Sequence, residues 1–202
     1  MIAEMTARTQ ADRSEATRQA LIEAAVELFA ERGFGGTATE DIVARAGVTR
    51  GALYHHFRDK KDLFRAVYMH LADLKMRLVA EALESDDPIA GAQAALSAYL
   101  DVCRDPVFTR ICHVDAPGVL GWDEWRAAST GHAIGVITKG MQRAIDAGLI
   151  ANKSADVLAH VVHGAIMEAG MLVSRDPDVD VEEVEDMVMR FLTGYLLAAP
   201  EP

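Results

Sequence analysis

The chain is poor in the residues that fasten small extracellular folds and β-rich ones. Only two cysteines, Cys103 and Cys112, occur in 202 residues. That is too few for a disulfide scaffold, and they lack the CxxC spacing of a structural zinc site, so both read as reduced, buried thiols. Aromatic residues make up 6% and prolines number 6, against 34 alanines. This balance favours helix over strand, and the fold class expected is all-α. Long apolar runs are also missing. The longest stretch free of Asp, Glu, Lys and Arg runs from Pro88 to Leu100, short of the roughly 18 residues a membrane span needs. No transmembrane helix is expected. Met1 to Arg13 carry polar and charged residues without an apolar core segment, which argues against a secretory leader and for a cytoplasmic location. No GxSxG, HExxH, P-loop or dinucleotide fingerprint occurs, so an enzyme would need an unrecognised site built from Cys, His and Asp, with Cys112 and His113 its first candidates.

Positive charge is in short supply overall, with a formal net charge of -11, which alone argues against nucleic acid as a partner. The distribution points the other way. Residues 1–65 hold ten basic and ten acidic residues, whereas residues 66–202 hold ten and 21. Between Arg45 and Lys61, five cations (Arg45, Arg50, Arg58, Lys60, Lys61) face only Asp59.

The helical periods predict about nine helices. Residues 1–14 show no hydrophobic period and read as a mobile tail. Leu21, Ala24, Ala25, Leu28 and Phe29 then mark one face of a helix from Glu15, which Gly33 ends as an αL cap. Thr37 and Glu40 match a capping box ahead of a short helix holding Ile42, Val43 and Ala46. Thr49 caps a third, with Leu53 and Phe57 inward. Asp59 opens a fourth, whose stripe of Leu63, Val67, Leu71, Leu74 and Leu78 runs to about Leu83 or Glu84. Three breaker clusters follow, at Ser85 to Pro88, Arg104 to Pro106 and Ala116 to Gly118. Long helices are then expected over about 122–147, 154–175 and 180–198, the last behind a second capping box at Asp180 and Glu183.

Two short helices joined by a turn at Gly47 make a helix-turn-helix, whose second helix enters the DNA major groove. The Thr49 hydroxyl and the helix N-terminus favour a phosphate, Arg50 suits a guanine edge, and Tyr54 and His56 suit phosphates. Lys60 and Lys61 at a helix N-terminus oppose the dipole, a cost that an external anion would offset. The run from Thr39 to Phe64, with Phe29, Gly33, Gly47, Leu53-Tyr54-Xaa-His56-Phe57 and Lys60 in place, resembles the TetR family of bacterial transcriptional regulators over residues 15–66. The resemblance implies that Thr39, Thr49, Tyr54, His56 and Lys60 hold the duplex backbone, and that Arg50 and His55 read bases. It implies a DNA-binding domain over 15–66 and a regulatory domain over 67–202. It also implies a homodimer, joined by the last two helices, that binds a palindromic operator. No cofactor or metal is implied.

For the regulatory half, Arg110 to Arg126 is similar to a stretch of some TetR-type ligand domains, without naming a ligand. Trp122 and Trp125 lie one turn apart, and with Tyr99, His113, Met141 and Met167 they are candidates for lining an effector pocket. Core packing is the plainer outcome for such spacing. His160 and His163, at i and i+3, are candidates for a shared metal, against satisfied or surface histidines. Glu168, mid-helix among apolar residues, either attracts a cationic effector or reaches solvent. The effector expected is therefore small and either apolar or cationic. A DNA-binding protein without any small ligand remains the alternative.

Overall fold

The computed structural model describes residues 2–150 and 154–196, and among them every regular element is helical. In chain order these are α1 (Ile2–Gly36), α2 (Thr39–Arg45), α3 (Arg50–His56), α4 (Lys60–Ala82) and α5 (Pro88–Arg104). There follow α6 (Pro106–Phe108), a π-helical turn (Thr109–Asp115), α7 (Ala116–Leu120), α8 (Trp122–Asp146), α9 (Ala155–Arg175) and α10 (Val181–Leu196). Because α6, the π turn and α7 form one bent segment, the described residues hold nine helical segments. The expected end of the last helix near 198 lies outside the described residues.

Helix α1 begins at Ile2 rather than near Glu15. No glycine or proline interrupts residues 2–32, and a run rich in alanine and straight-chain residues holds a helix even without an apolar stripe. Gly33 breaks it with φ 70° and ψ 172°, a region open only to glycine and outside the αL well expected, and α1 resumes for one short turn to Gly36. The backbone conformation alone calls for glycine, and the Arg110 guanidinium occupies the space that a Cβ would take.

The capping box expected at Thr37 does not form. Thr37 is buried and turns its hydroxyl back to the carbonyls of Leu28 and Gly33, at 3.1 and 2.9 Å, leaving Ala38 to start α2. Caps elsewhere follow the sequence. Thr49 Oγ1 accepts from Ala52 N at 3.2 Å, Asp59 Oδ1 from Asp62 N at 2.7 Å, and Asp180 Oδ1 from Glu182 N at 3.0 Å. The break expected at Ala116 to Gly118 is helical instead. Pro117 falls in the first turn of α7, where its missing N–H costs nothing, and the chain turns at Gly121, φ 91°.

One apolar core runs from Leu21 and Phe29 in α1 through Leu53, Phe64 and Val67 to Leu100, Trp125 and Val173. The two halves are therefore not separately packed. Helix α4 belongs to both, and its buried face rotates along its length. Leu63 and Val67 are buried, but Leu74 and Leu78 are exposed, while Ala72, Met76 and Val79 turn inward. By length and hydropathy α9 passes as a membrane-crossing helix. Here it packs against α5, α8 and α10.

Candidate functional site

The helix-turn-helix is formed as the sequence predicts. Gly47 supplies the turn with φ 67°, where a side chain would be strained. Leu53 and Phe57 pin α3 to the core, so its opposite face, with Arg50, Gly51, Tyr54 and His55, is left exposed. Thr49 is exposed at the α3 N-terminus, and Thr39, at the start of α2, is half-buried beside Glu40. His56 is half-buried, and desolvation, followed by the His55 and Arg18 charges, lowers its pKa.

Every cation of the basic run has an internal partner. Arg45 pairs with Glu27, Arg58 with Asp62, and Arg50 with Glu40 at 3.2 Å while lying over the Tyr54 ring. The Arg45 and Arg50 pairs are exposed on both sides, whereas Asp62 is half-buried and also accepts from Arg58 N and Arg65. Exposed pairs such as those of Arg45 and Arg50 contribute about 0–1 kcal/mol, so these two guanidinium groups are only loosely held. The lysines differ. Lys60 Nζ donates to the carbonyls of Phe34 and Thr37 at 2.8 and 2.9 Å, and Lys61 Nζ donates to Leu120 O at 3.3 Å. Their charge against the α4 dipole is offset by backbone oxygens, so no external anion is needed to explain it.

The regulatory half contains a partly open cavity of about 140 Å³ between α4, α5, α8, α9 and α10. Of the candidate lining residues, Tyr99, Met141 and Met167 border it. His113, Trp122 and Trp125 do not. Trp125 is core, 2% exposed, with Nε1 donating to Cys112 O at 3.0 Å. Trp122 stacks on its outer side with 62% of its surface exposed. His113 is buried against Phe108 with Nδ1 2.9 Å from Ser174 Oγ, and desolvation lowers its pKa to about 4. Burial pushes the Cys103 and Cys112 thiols up to about 11 and about 12. Neither is an activated nucleophile.

His160 is exposed and donates to Asp156 O, whereas His163 faces the cavity, so the two do not converge on a metal. Glu168 is exposed and lies outside the cavity wall. The residue that sequence reasoning misses is Lys75. Its Nζ lies 5.1 Å from the Tyr99 ring centroid and 4.9 Å from that of Phe108, and it belongs to the cavity wall. A lone lysine among Ala72, Met76 and Val79 is the signal that could have found it. A cationic effector is thereby disfavoured, because the wall carries this ammonium and no carboxylate.

Besides the shared core, side-chain hydrogen bonds join the two halves, among them that of Lys61 to Leu120 O. Asp115 Oδ2 of the π turn accepts from Phe34 N at 2.8 Å, just past Gly33, and Arg110 sits beside both. Arg65 of α4 adds a bond to Glu124.

Comparison with known proteins places these features. The model of bacterial regulatory proteins of the tetR family matches residues 21–67, and that of the tetracyclin repressor-like C-terminal domain matches residues 89–195. The Transposon Tn10 TetC protein of Escherichia coli is 24% identical over 94% of this chain and 95% of its own length. The HTH-type transcriptional repressor BepR of Brucella suis is 38% identical over 81 residues, which span 40% of this chain and 38% of BepR. A crystal structure of a TetR-family transcriptional regulator from Pectobacterium atrosepticum superposes with a TM-score of 0.76 at 30% identity, covering 94% of this chain and 98% of that one. With both halves matched and the reading helix formed, the chain belongs to the TetR family of bacterial DNA-binding transcriptional regulators.

Proposed function

We propose that the protein is a homodimeric repressor that acts on DNA in the cytoplasm, binds a two-fold symmetric operator and is released by a small molecule entering the cavity. The observation that carries this reading is α4, which carries the reading head at one end and walls the cavity at the other. Arg50 and His55 read bases, while Thr39, Thr49, Tyr54 and His56 hold the backbone, joined by Lys60 through the one ammonium N–H that Phe34 O and Thr37 O leave over. The acidic regulatory half, with 21 carboxylates against ten cations beyond residue 65, is repelled by phosphate, so only the head approaches the duplex.

Dimerisation through α9 and α10 is supported by their outward apolar residues. Val157, Val161 and Leu172 on α9 and Met187 and Phe191 on α10 are all at least 45% exposed, a face that monomeric proteins rarely leave to water. Gly170 does not belong to it. It is buried, and a Cβ there would overlap Tyr99 of the same chain. The test is a genomic DNA pull-down with the purified protein, followed by footprinting of the enriched fragment. Two protected half-sites about one helical turn or a multiple apart are expected. A monomer at micromolar concentration with an asymmetric footprint overturns the reading.

A further inference from the structure

We propose that the cavity takes a small organic acid, with an apolar body in the slot between α5, α8 and α9 and a single carboxylate paired with Lys75. The inference deepens the regulatory reading above and rests on it for the consequence at DNA.

Its starting point is a charge without a partner. The cavity is walled by groups such as Met76, Leu96, Ile137 and Ile166, and its wall contains no aspartate or glutamate. Among the described residues no carboxylate lies within ion-pair distance of Lys75. The ammonium rests between the faces of Tyr99 and Phe108, an attraction that lowers but does not cancel the cost of a buried cation. Nearby groups do not supply the missing negative charge. Burial raises the pKa of Tyr99, Cys103 and Cys112, so all three stay neutral at pH 7. His163, the other titratable group on the wall, is held neutral by desolvation, its pKa lowered to about 4. The cavity wall therefore includes one cation without an acidic partner, its ammonium lying where the wall residue Tyr99 meets Phe108 behind it. Desolvation also lowers the Lys75 pKa, and a bound carboxylate would reverse that shift by favouring the charged form.

Size narrows the class. A volume of about 140 Å³ is close to the roughly 150 Å³ of an apolar protein cavity that holds benzene. An aryl acid or a short fatty acid meets both the volume and the charge. A cation meets neither the lysine nor the wall.

The test titrates the purified full-length protein by calorimetry with phenylacetate, hexanoate and octanoate, each beside its amide and the amine of matching length. At least one acid is expected to bind roughly tenfold or more tightly than its amide, with no heat from the amines. Lys75→Met should bring the acid-to-amide ratio near one while amide binding persists, which also shows that the variant is folded. Lys75→Arg should keep the preference. Equal binding of all acids and amides, no binding by any probe, or an acid preference that survives in Lys75→Met overturns the proposal. DNA release is read separately, by anisotropy on the fragment recovered from the pull-down. If an acid binds through Lys75 without releasing DNA, the ligand class stands and the release mechanism falls. If the operator is bound but no acid is, the ligand class falls and the DNA-binding reading stands.

Discussion

Replacing Asp115 by alanine removes the one side-chain hydrogen bond that, among the described residues, joins α1–α3 to the regulatory helices. The carboxylate is 14% exposed and accepts from the half-buried amide of Phe34 at 2.8 Å. Hydrogen bonds to charged groups contribute about 1.5–3 kcal/mol, and Asp115, being shielded, belongs at about 2–3. At about 2–4 °C per kcal/mol for a chain of this size, Asp115→Ala should melt about 4–12 °C lower. Asp115→Asn keeps an oxygen acceptor without the charge and should lose about half as much. The functional consequence is larger if the bond belongs to one arrangement of the reading head only. The same 2–3 kcal/mol then shifts the balance between arrangements about 30- to 150-fold, read as a change in operator affinity and in the effector concentration that releases DNA. Calorimetric melts and anisotropy titrations on both variants measure the two effects. An alanine variant that melts with the parent and matches it in operator binding and effector response refutes the tether.

Further substitutions separate reading from packing. Arg50→Ala should cost about 1–3 kcal/mol on the operator and relax sequence preference, whereas Tyr54→Phe should weaken all sequences alike; competition titrations with unrelated DNA distinguish them. Trp125→Ala should destabilise the fold by about 3–5 kcal/mol in urea unfolding, and Trp122→Ala by no more than about 0.5 kcal/mol, with no loss of effector response beyond the unfolded fraction. His113 and His163 have folded pKa values depressed to about 4, below the ordinary 6.5, so below that value the unfolded chain binds their protons first. Their contribution is complete above pH 6.5 and is lost as pH falls to 4, up to about 3 kcal/mol for His113 and less for His163, which solvent in the partly open cavity screens. Melting temperatures flat across pH 6.5 to 4 would contradict this.

The helix-turn-helix is legible in the sequence because its determinants are local: a turn glycine, a capping threonine and two apolar residues four apart. Nothing distant is needed to place Arg50 and Tyr54 outward. The cavity is not legible in the same way, because it is formed by five helices meeting, and periodicity along one helix does not say which residues border a void. The tryptophan pair stands out by residue type, yet Trp125 fills core and Trp122 covers it. Lys75 is hidden because the leucines at 71, 74 and 78 set the apparent apolar stripe, while the tertiary contacts turn α4 to bury 72, 76 and 79. The Thr37 capping box fails for a related reason. A threonine three residues before a glutamate is a local signal, but the end of α1 offers the hydroxyl two buried carbonyls, and those win.

Helix α4 is the element that both sites must share, and its length sets what it can transmit. Lys60, bound to the end of α1, and Lys75, on the cavity wall, are 15 residues apart, about 22 Å along the helix at 1.5 Å per residue. A tilt of about 10° at one end moves the other by about 4 Å, enough to take a reading helix out of register with its groove. The energetic demand is set by population. Driving a head from 99% competent to 1% takes about 5.5 kcal/mol of differential binding. In a symmetric dimer two cavities act on one equilibrium, so each effector needs to supply only about half, roughly a 100-fold preference for the released arrangement. A carboxylate that finds Lys75 unpaired in one arrangement and out of reach in the other is of the right order to supply it, whereas an apolar body touching the same walls in both shifts nothing however tightly it binds.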